Sequence, residues 1–435
     1  MKKGFTSVPP SNILIKGAEI INANGRKKAD ILIENGVIKE VSVGIRRKID
    51  VEINGSGLIA LPGAIDIHFH IREPGAPYEE DIESGTLSAA HGGITSLFMM
   101  PNTKPPLDSP ELISFIRQKA EKKALSRVFP VGAATEKREG KKISEYGLML
   151  REGIIAVTDD GSSISSSFAM RKSLEYAKTF GLTVIEHAED KELSGDANEG
   201  YLTQNYGITP YPNAAEDVIV ARDIILAELT GGNLHLTHVS SGNSIEMIRE
   251  AKRKIKNARI TCDVTPHHLI FCDEDIQITN TNLKVNPPIR SKRDRQKLIE
   301  AILDNTVDAI ASDHAPHPRF LKENDFVSAP PGISSADFFV PILYSELVQK
   351  GLINIEKLVE LISFNPAMLF GIPAGQIAEG KIGDIVLLDP DKEYNITKDM
   401  LYSKGKNSPY INFKIKGKVI YTIINGKVCY QADLT

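Results

Sequence analysis

The run Ala64-Ile65-Asp66-Ile67-His68-Phe69-His70-Ile71-Arg72-Glu73-Pro74-Gly75 puts two imidazoles and a guanidinium at the end of an apolar stretch. Along a β-strand residues i and i+2 share a face, so His68 and His70 point the same way and make a two-point clamp for a metal ion. The competing reading is a pair of core histidines, which would need several hydrogen-bond partners to be buried on one short strand. Arg72 keeps the same parity. Its planar fork can grip a carboxylate beyond the proposed metal or, equally, form a surface ion pair.

Further histidines and carboxylates stand in comparable places. Thr158-Asp159-Asp160-Gly161, Glu186-His187-Ala188-Glu189-Asp190, Thr237-His238-Val239-Ser240 and Ser312-Asp313-His314-Ala315-Pro316-His317 each close or follow an apolar run. A lone histidine at such an end is more often structural than a ligand, but several at the same rim form a set. A catalytic zinc site wants imidazole nitrogens and carboxylate oxygens with a position left open for water. Two neighbouring metals also need a bridging anion, and a carboxylate can serve. Period-two alternation lets only one of Asp159 and Asp160 face inward, and local sequence leaves that choice open.

The elements that must carry these residues follow from the same runs. Apolar stretches ending in polar residues recur eight times, at 61–70, 94–102, 128–135, 154–160, 182–189, 234–240, 260–267 and 307–314. Between them lie amphipathic segments of helical length, among them 110–122, 167–179, 215–229, 244–255 and 294–303. Eight alternations of strand and helix predict a (β/α)8 TIM barrel, whose chemistry sits at the C-terminal ends of its strands. The flanks show short alternating strands with turn signals instead. Neither can bury enough surface alone, so residues 1–60 and 375–435 are expected to pair into one small discontinuous β-sandwich-like domain, leaving 61–374 as the catalytic barrel.

With these motifs assembled, the chain resembles a known family. Asp66-x-His68-x-His70-x-Arg72-x-Pro74-Gly75, Met100-Pro101-Asn102-Thr103 and Ser312-Asp313-His314-Ala315-Pro316-His317, in that order, are similar to bacterial type I dihydroorotases of the amidohydrolase superfamily. His-x-His alone would mark only the superfamily. The resemblance runs from about residue 13 to the C-terminus and implies zinc-dependent, reversible cyclisation of N-carbamoyl-L-aspartate to L-dihydroorotate in pyrimidine biosynthesis. It implies two Zn2+ per chain. His68, His70, Asp160 and Asp313 would hold one, and Asp160, His187 and His238 the other, with Asp160 and a hydroxide as bridges. Many amidohydrolases bridge with a carboxylated lysine. Here the fourth run ends in Asp-Asp-Gly without one, as in type I dihydroorotases, and family spacing to His187 favours Asp160. Asp313 would also be the catalytic proton shuttle.

For substrate, the resemblance implies His70, Arg72, Asn102, Asn286, His317, Pro331 and Gly332. Asn286 in Val285-Asn286-Pro287-Pro288 matches the family's Asn-Pro-Pro, although locally it reads as well as a turn residue. Family members tend to carry Pro-Phe-Gly where this chain has Pro330-Pro331-Gly332. The surrounding segment 319–335, polar and rich in Pro and Gly, is expected to lie over the barrel mouth. His91, His235, His267, His268 and His314 are expected to be structural or to orient the ligands.

Composition restricts the partners. The formal net charge is −4 and no basic run is interleaved with aromatics, which excludes general attraction to nucleic acid or anionic membrane and leaves a small-molecule substrate. Met1-Lys2-Lys3-Gly4-Phe5-Thr6 precedes no apolar leader and no run approaches a membrane span, so the expected location is cytoplasmic. Cys262, Cys272 and Cys429 are too scattered for a disulfide framework and read as reduced thiols. The expected assembly is a homo-oligomer, with association with aspartate transcarbamoylase possible, as in some bacterial relatives. Two rivals stand beside this reading: another cyclic amidase, whose substrate would lack the carboxylate that gives Arg72 and Asn102 a purpose, and a metal-free scaffold, which would have lost the ligand set.

Overall fold

The computed structural model describes residues 12–433, so the N-terminal segment read above for a leader lies outside the described residues. Eight parallel strands ring the centre. They are Ala64–Phe69 (β1), Ile94–Met99 (β2), Arg127–Pro130 continued by Gly132–Ala133 (β3), Val157–Thr158 (β4), Thr183–Glu186 (β5), Asn233–Leu236 (β6), Ile260–Val264 (β7) and Ala309–Ile310 (β8). Each pairs with the next, β3 joining β2 through its first piece and β4 through its second. The ring closes beside the candidate site, where His70 N donates to His314 O at 2.9 Å and Phe69 bridges His314. This is the TIM barrel expected from the alternation.

Strands covered on both faces read as continuous apolar runs, as Ile65, Ile67, Val157, Val184, Ile260 and Val264 do here. Several ladders stop earlier than the apolar runs. Residues beyond them bend out to build the rim, and His238 and Asp313 do so with φ of 39° and 43°. Left-handed backbone at a non-glycine residue costs on the order of 1–3 kcal/mol, so the surrounding structure must hold both in place.

The expected helices appear as Pro110–Lys123, Ser167–Thr179, Ala214–Thr230, Gly242–Lys254 and Lys292–Leu303. Helix Ile82–His91 carries no clean amphipathic stripe because every residue except Glu83 is buried. It starts on a capping box formed by Asp81 and Ser84, and it lies against the terminal sheet, where Thr422 Oγ1 donates to Ala90 O at 2.7 Å.

The flanks meet in one eight-stranded sheet. Its order is Lys427–Gln431, Lys414–Ile424, Ile385–Asn395, Ile59–Pro62, Ile13–Asn22, Gly25–Glu34 and Val37–Ser42, with Val51–Asn54 also pairing Ile13–Asn22. Strands from both ends share a core of Ile13, Ile15, Ile31, Ile33, Ile385, Leu387 and Ile423. Ile59–Pro62 runs into β1 through Gly63, where a Cβ would come within 2.2 Å of the Thr95 side chain. Arg127 Nη2 reaches both Asp384 oxygens at 2.9 Å and ties β3 to this sheet.

Candidate metal centre and substrate pocket

Asp160 stands between two pairs of imidazoles. Its Oδ2 lies 3.3 Å from His68 Nε2 and 3.5 Å from His70 Nε2, while its Oδ1 lies 3.7 Å from His187 Nδ1 and 3.5 Å from His238 Nε2. Asp313 Oδ1 joins the first pair, at 3.2 Å from His70 Nε2 and 3.6 Å from His68 Nε2. Asp159 turns the other way and accepts from Thr135 N at 2.9 Å and from the Thr135 hydroxyl. The strand alternation that left the two aspartates undecided is thus resolved by what each one meets.

Neighbouring hydrogen bonds fix where the imidazole protons sit. Thr237 Oγ1 donates to Asp263 Oδ2 at 2.8 Å, so its oxygen receives the proton of His68 Nδ1, 2.7 Å away. His70 Nδ1 donates to Asn102 Oδ1 at 2.8 Å, and His187 Nε2 to Glu189 Oε2 at 3.1 Å. Each neutral ring then turns a bare nitrogen toward the carboxylates. Lone pair faces lone pair where His68 and His70 Nε2 lie 3.2 Å apart, and the bare His187 Nδ1 stands 2.9 Å from His238 Nε2. Asp160 Oδ1 is buried without a hydrogen-bond partner. Only positive charge satisfies such a cluster, and four imidazoles with two carboxylates are the donors that suit zinc-type dications. Without a metal, protons answer the same demand. Burial opposes charge on His68, but Asp160 and then Asp313 pull its pKa up to about 10.

The supports come from neighbouring strands and helices. Asp263 on β7 is fully buried and accepts from His238 N at 2.8 Å as well as from Thr237 and from His235 Nε2 at 2.9 Å. Glu216, on helix Ala214–Thr230, accepts from Ser241 N at 3.0 Å and holds the turn after His238. Asp66 Oδ1 accepts from Ser312 N at 2.9 Å and fixes the start of the Asp313 turn, and burial raises its pKa to about 6. Sequence reasoning did not single out Glu189, Asp263 or Glu216. Their signal was a carboxylate inside, or two residues beyond, an apolar run, and an acid buried on a helix.

A cavity of about 220 Å³ opens over the cluster, lined by His70, Arg72, Asn102, Asn286, Asp313, His317 and the Pro330–Pro331–Gly332 arch among others. Arg72 is largely buried, and its Nε, 3.9 Å from Glu79 Oε2, has no hydrogen-bond partner. The ion pair considered for it forms loosely with Glu79, but with both side chains largely buried rather than at the surface. Asn286 Oδ1 is likewise buried and unpartnered, an acceptor awaiting a donor. His317 Nε2 lies 2.9 Å from Pro331 O and its Nδ1 3.1 Å from Glu79 Oε2. The arch offers little donation of its own, since Pro331 has no N–H and Gly332 N donates to Lys284 O at 2.9 Å. Gly332 has φ of 130° and no room for a Cβ, which would fall 2.4 Å from Ala315 O.

The five histidines set aside in the sequence are all buried. His235 bonds Thr261 and Asp263, His268 bonds Thr265 and Pro287 O, His91 meets Asp337 and His314 meets Glu80. His267 has no partner at either nitrogen, and burial lowers its pKa to about 4.

Residues 59–429 match the Amidohydrolase family. The chain is 41% identical over 426 residues to a dihydroorotase from Geobacter sp. (strain M21), covering 97% of this chain and 100% of that one. It is 43% identical over 405 residues to a dihydroorotase from Endomicrobium trichonymphae, covering 92% and 95%. Among solved structures, the L-hydantoinase (dihydropyrimidinase) from Arthrobacter aurescens superposes with a TM-score of 0.88 at 22% identity over 98% of this chain and 97% of that one, a likeness of fold. The D-hydantoinase from Thermus sp. gives 0.82 at 26% identity, covering 96% and 95%. Relatives of the first kind share both length and sequence with this chain, and it belongs to the dihydroorotases of the amidohydrolase family.

Proposed function

We propose that the protein interconverts L-dihydroorotate and N-carbamoyl-L-aspartate with two zinc ions held by His68, His70, Asp160, His187, His238 and Asp313. The observation that carries this reading is Asp160, which presents one oxygen to each imidazole pair at 3.3–3.7 Å beneath a pocket that holds a buried guanidinium. Bound there, the ions would supply Lewis acidity to the scissile ring amide and lower the pKa of a water.

The chain's own residues supply the rest. Arg72, Asn102 and His317 surround the place for the substrate carboxylate, and Arg72 brings the fork that fits it. Asn286 Oδ1 accepts from the ring, with His70, Pro331 and Gly332 completing the walls. In the metal-free cluster Asp313 is ionised at neutral pH: burial works against its charge, but the neighbouring imidazoles, His70 first and then His68, hold it well below the usual carboxylate range, and bound dications would do the same. The Asp313 carboxylate takes a proton from the attacking water. The ring C–N bond breaks and Asp313 returns the proton to the departing nitrogen; closure runs the same steps backwards.

In this reading residues 61–374 form the catalytic barrel and 1–60 with 375–435 the appended β unit. Among the described residues no helix is long and apolar enough to cross a membrane. The family resemblance is what supports a cytoplasmic homo-oligomer and association with an aspartate transcarbamoylase. The test is zinc content per chain together with dihydroorotate hydrolysis before and after chelation. Two zinc ions and activity that returns with zinc are expected; preference for carboxylate-free dihydrouracil would overturn the reading.

A further inference from the structure

Behind the Pro330–Gly332 arch lies a lysine that touches no substrate surface. Lys322 ends the short helix Arg319–Lys322 and is 4% exposed. Its Nζ donates to Pro330 O at 2.9 Å, Gly332 O at 3.1 Å and Lys284 O at 3.4 Å, which uses all three ammonium protons. Lys284 belongs to the segment that leads into Asn286, so one cation joins two walls of the pocket. The remaining arch carbonyl, Pro331 O, faces His317, and Asn407 Nδ2 adds a 2.9 Å bond to Gly332 O.

This arrangement answers a problem set by the arch's sequence. Pro330 and Pro331 carry no N–H, so what this stretch chiefly offers is carbonyl oxygen, and oxygen turned into the cavity would repel a carboxylate held by Arg72. We propose that Lys322 is a positioning residue for the anionic substrate: it draws the Pro330 and Gly332 carbonyls to the back of the arch and holds the arch closed against the 284–286 wall. The inference rests on the dihydroorotate reading. It extends that reading to a residue outside the pocket.

The charge state of Lys322 matters, because a neutral amine has two protons for three acceptors and points a lone pair at the third. Burial, with the neighbouring charge of Lys284, lowers the Lys322 pKa to about 7. Lys284 itself is tied to Asp196 at 3.3 Å and Val327 O at 2.7 Å. On its own helix Arg319 pairs with Glu323, and Lys398 and Lys406 line a second cleft, separate from the substrate pocket, that Lys322 also borders. Asp325, in the following loop, accepts from Ser328 N. The cation is present below about pH 7 and lost above it, so KM for dihydroorotate rises with pH. His317 is held below its ordinary value, chiefly by burial, and titrates on the acid side of that range.

The test is Lys322→Met, which keeps the apolar stem and removes the donors. At pH of about 6.5 the expected result is a KM for dihydroorotate raised about tenfold or more, kcat within about twofold of wild type, unchanged zinc content, and loss of the alkaline rise in KM. An unchanged KM, or a loss of kcat at constant KM, overturns the inference while leaving the enzyme's reading intact. If the variant does not fold, the wild-type profile decides: KM rising between about pH 6.5 and 8.5 supports the role of Lys322 and a flat KM overturns it. A wild type that leaves dihydroorotate untouched overturns the functional reading and this inference with it.

Discussion

His187 gives its Nε2 proton to Glu189 at 3.1 Å, and this single bond turns Nδ1 toward Asp160. Burial opposes charge on Glu189, but the bond to His187 outweighs it and keeps the pKa at about 2, so the acceptor is ionised throughout the neutral range. Removing an orienting partner of this kind typically weakens metal binding by roughly 10–100-fold. Glu189→Ala should therefore lose the metal between His187 and His238 first. Competition with a chelator, followed by metal analysis, should show one tight and one weakened ion; two ions of wild-type affinity would refute the orienting role.

Asp160→Ala should cost the second metal and most activity. Asp159→Ala should leave metal content unchanged and lower stability by roughly 1–3 kcal/mol, because the buried Thr135 N–H loses its acceptor. Metal analysis beside thermal unfolding separates the two, and the reverse ranking would move the bridge to Asp159.

How much of this was legible in sequence depended on the range of the interaction. His68, His70 and Arg72 follow from parity on one strand, and their roles could be written down before any fold was known. Asp160 against Asp159 could not be settled that way, because the choice depends on Thr135 and on histidines from three other strands. Glu189 was visible as the i+2 neighbour of His187, but nothing local showed that its carboxylate folds back. Helix Ile82–His91 is hidden from periodicity because burial on every side removes the polar face that periodicity measures. The terminal strands were readable as strands, whereas their order in one sheet depends on pairing between opposite ends of the chain.

Arg72→Lys keeps the charge and loses the planar fork. A charge-assisted bond is worth roughly 1.5–3 kcal/mol, so KM for dihydroorotate should rise about 10–100-fold with zinc content unchanged. Steady-state kinetics at saturating zinc tests this. An unaltered KM would remove Arg72 from the carboxylate site.

Asp313→Asn keeps an oxygen for the metal and cannot carry the proton. Its turnover should fall by about 100-fold or more in both directions while zinc and dihydroorotate still bind. In the wild type the low Asp313 pKa gives ring opening a requirement for a deprotonated group, with loss toward acid, and ring closure the mirror dependence with loss toward alkali. Substantial turnover by the metal-replete variant would exclude this carboxylate as the shuttle.

Asp384→Ala breaks the contact of Arg127 with the terminal sheet and leaves the Asn425 N–H unpaired. The expected loss is roughly 1.5–3 kcal/mol in urea unfolding, with KM unchanged in the folded protein. Equal stability would show that the joint between barrel and sheet does not depend on this pair.

The strand Ile59–Pro62, one glycine ahead of β1, lies between Ile13–Asn22 and Ile385–Asn395 in the terminal sheet. During synthesis the first partner emerges before it and the second only after the whole barrel has been made. Until then the strand that aims His68 and His70 is anchored on one edge only, and its pairing waits for a partner more than 300 residues downstream. A nascent chain halted before residue 385 would carry every ligand of the metal cluster and still lack the second rail that aligns the first two. Activity is in this sense the last thing the ribosome delivers.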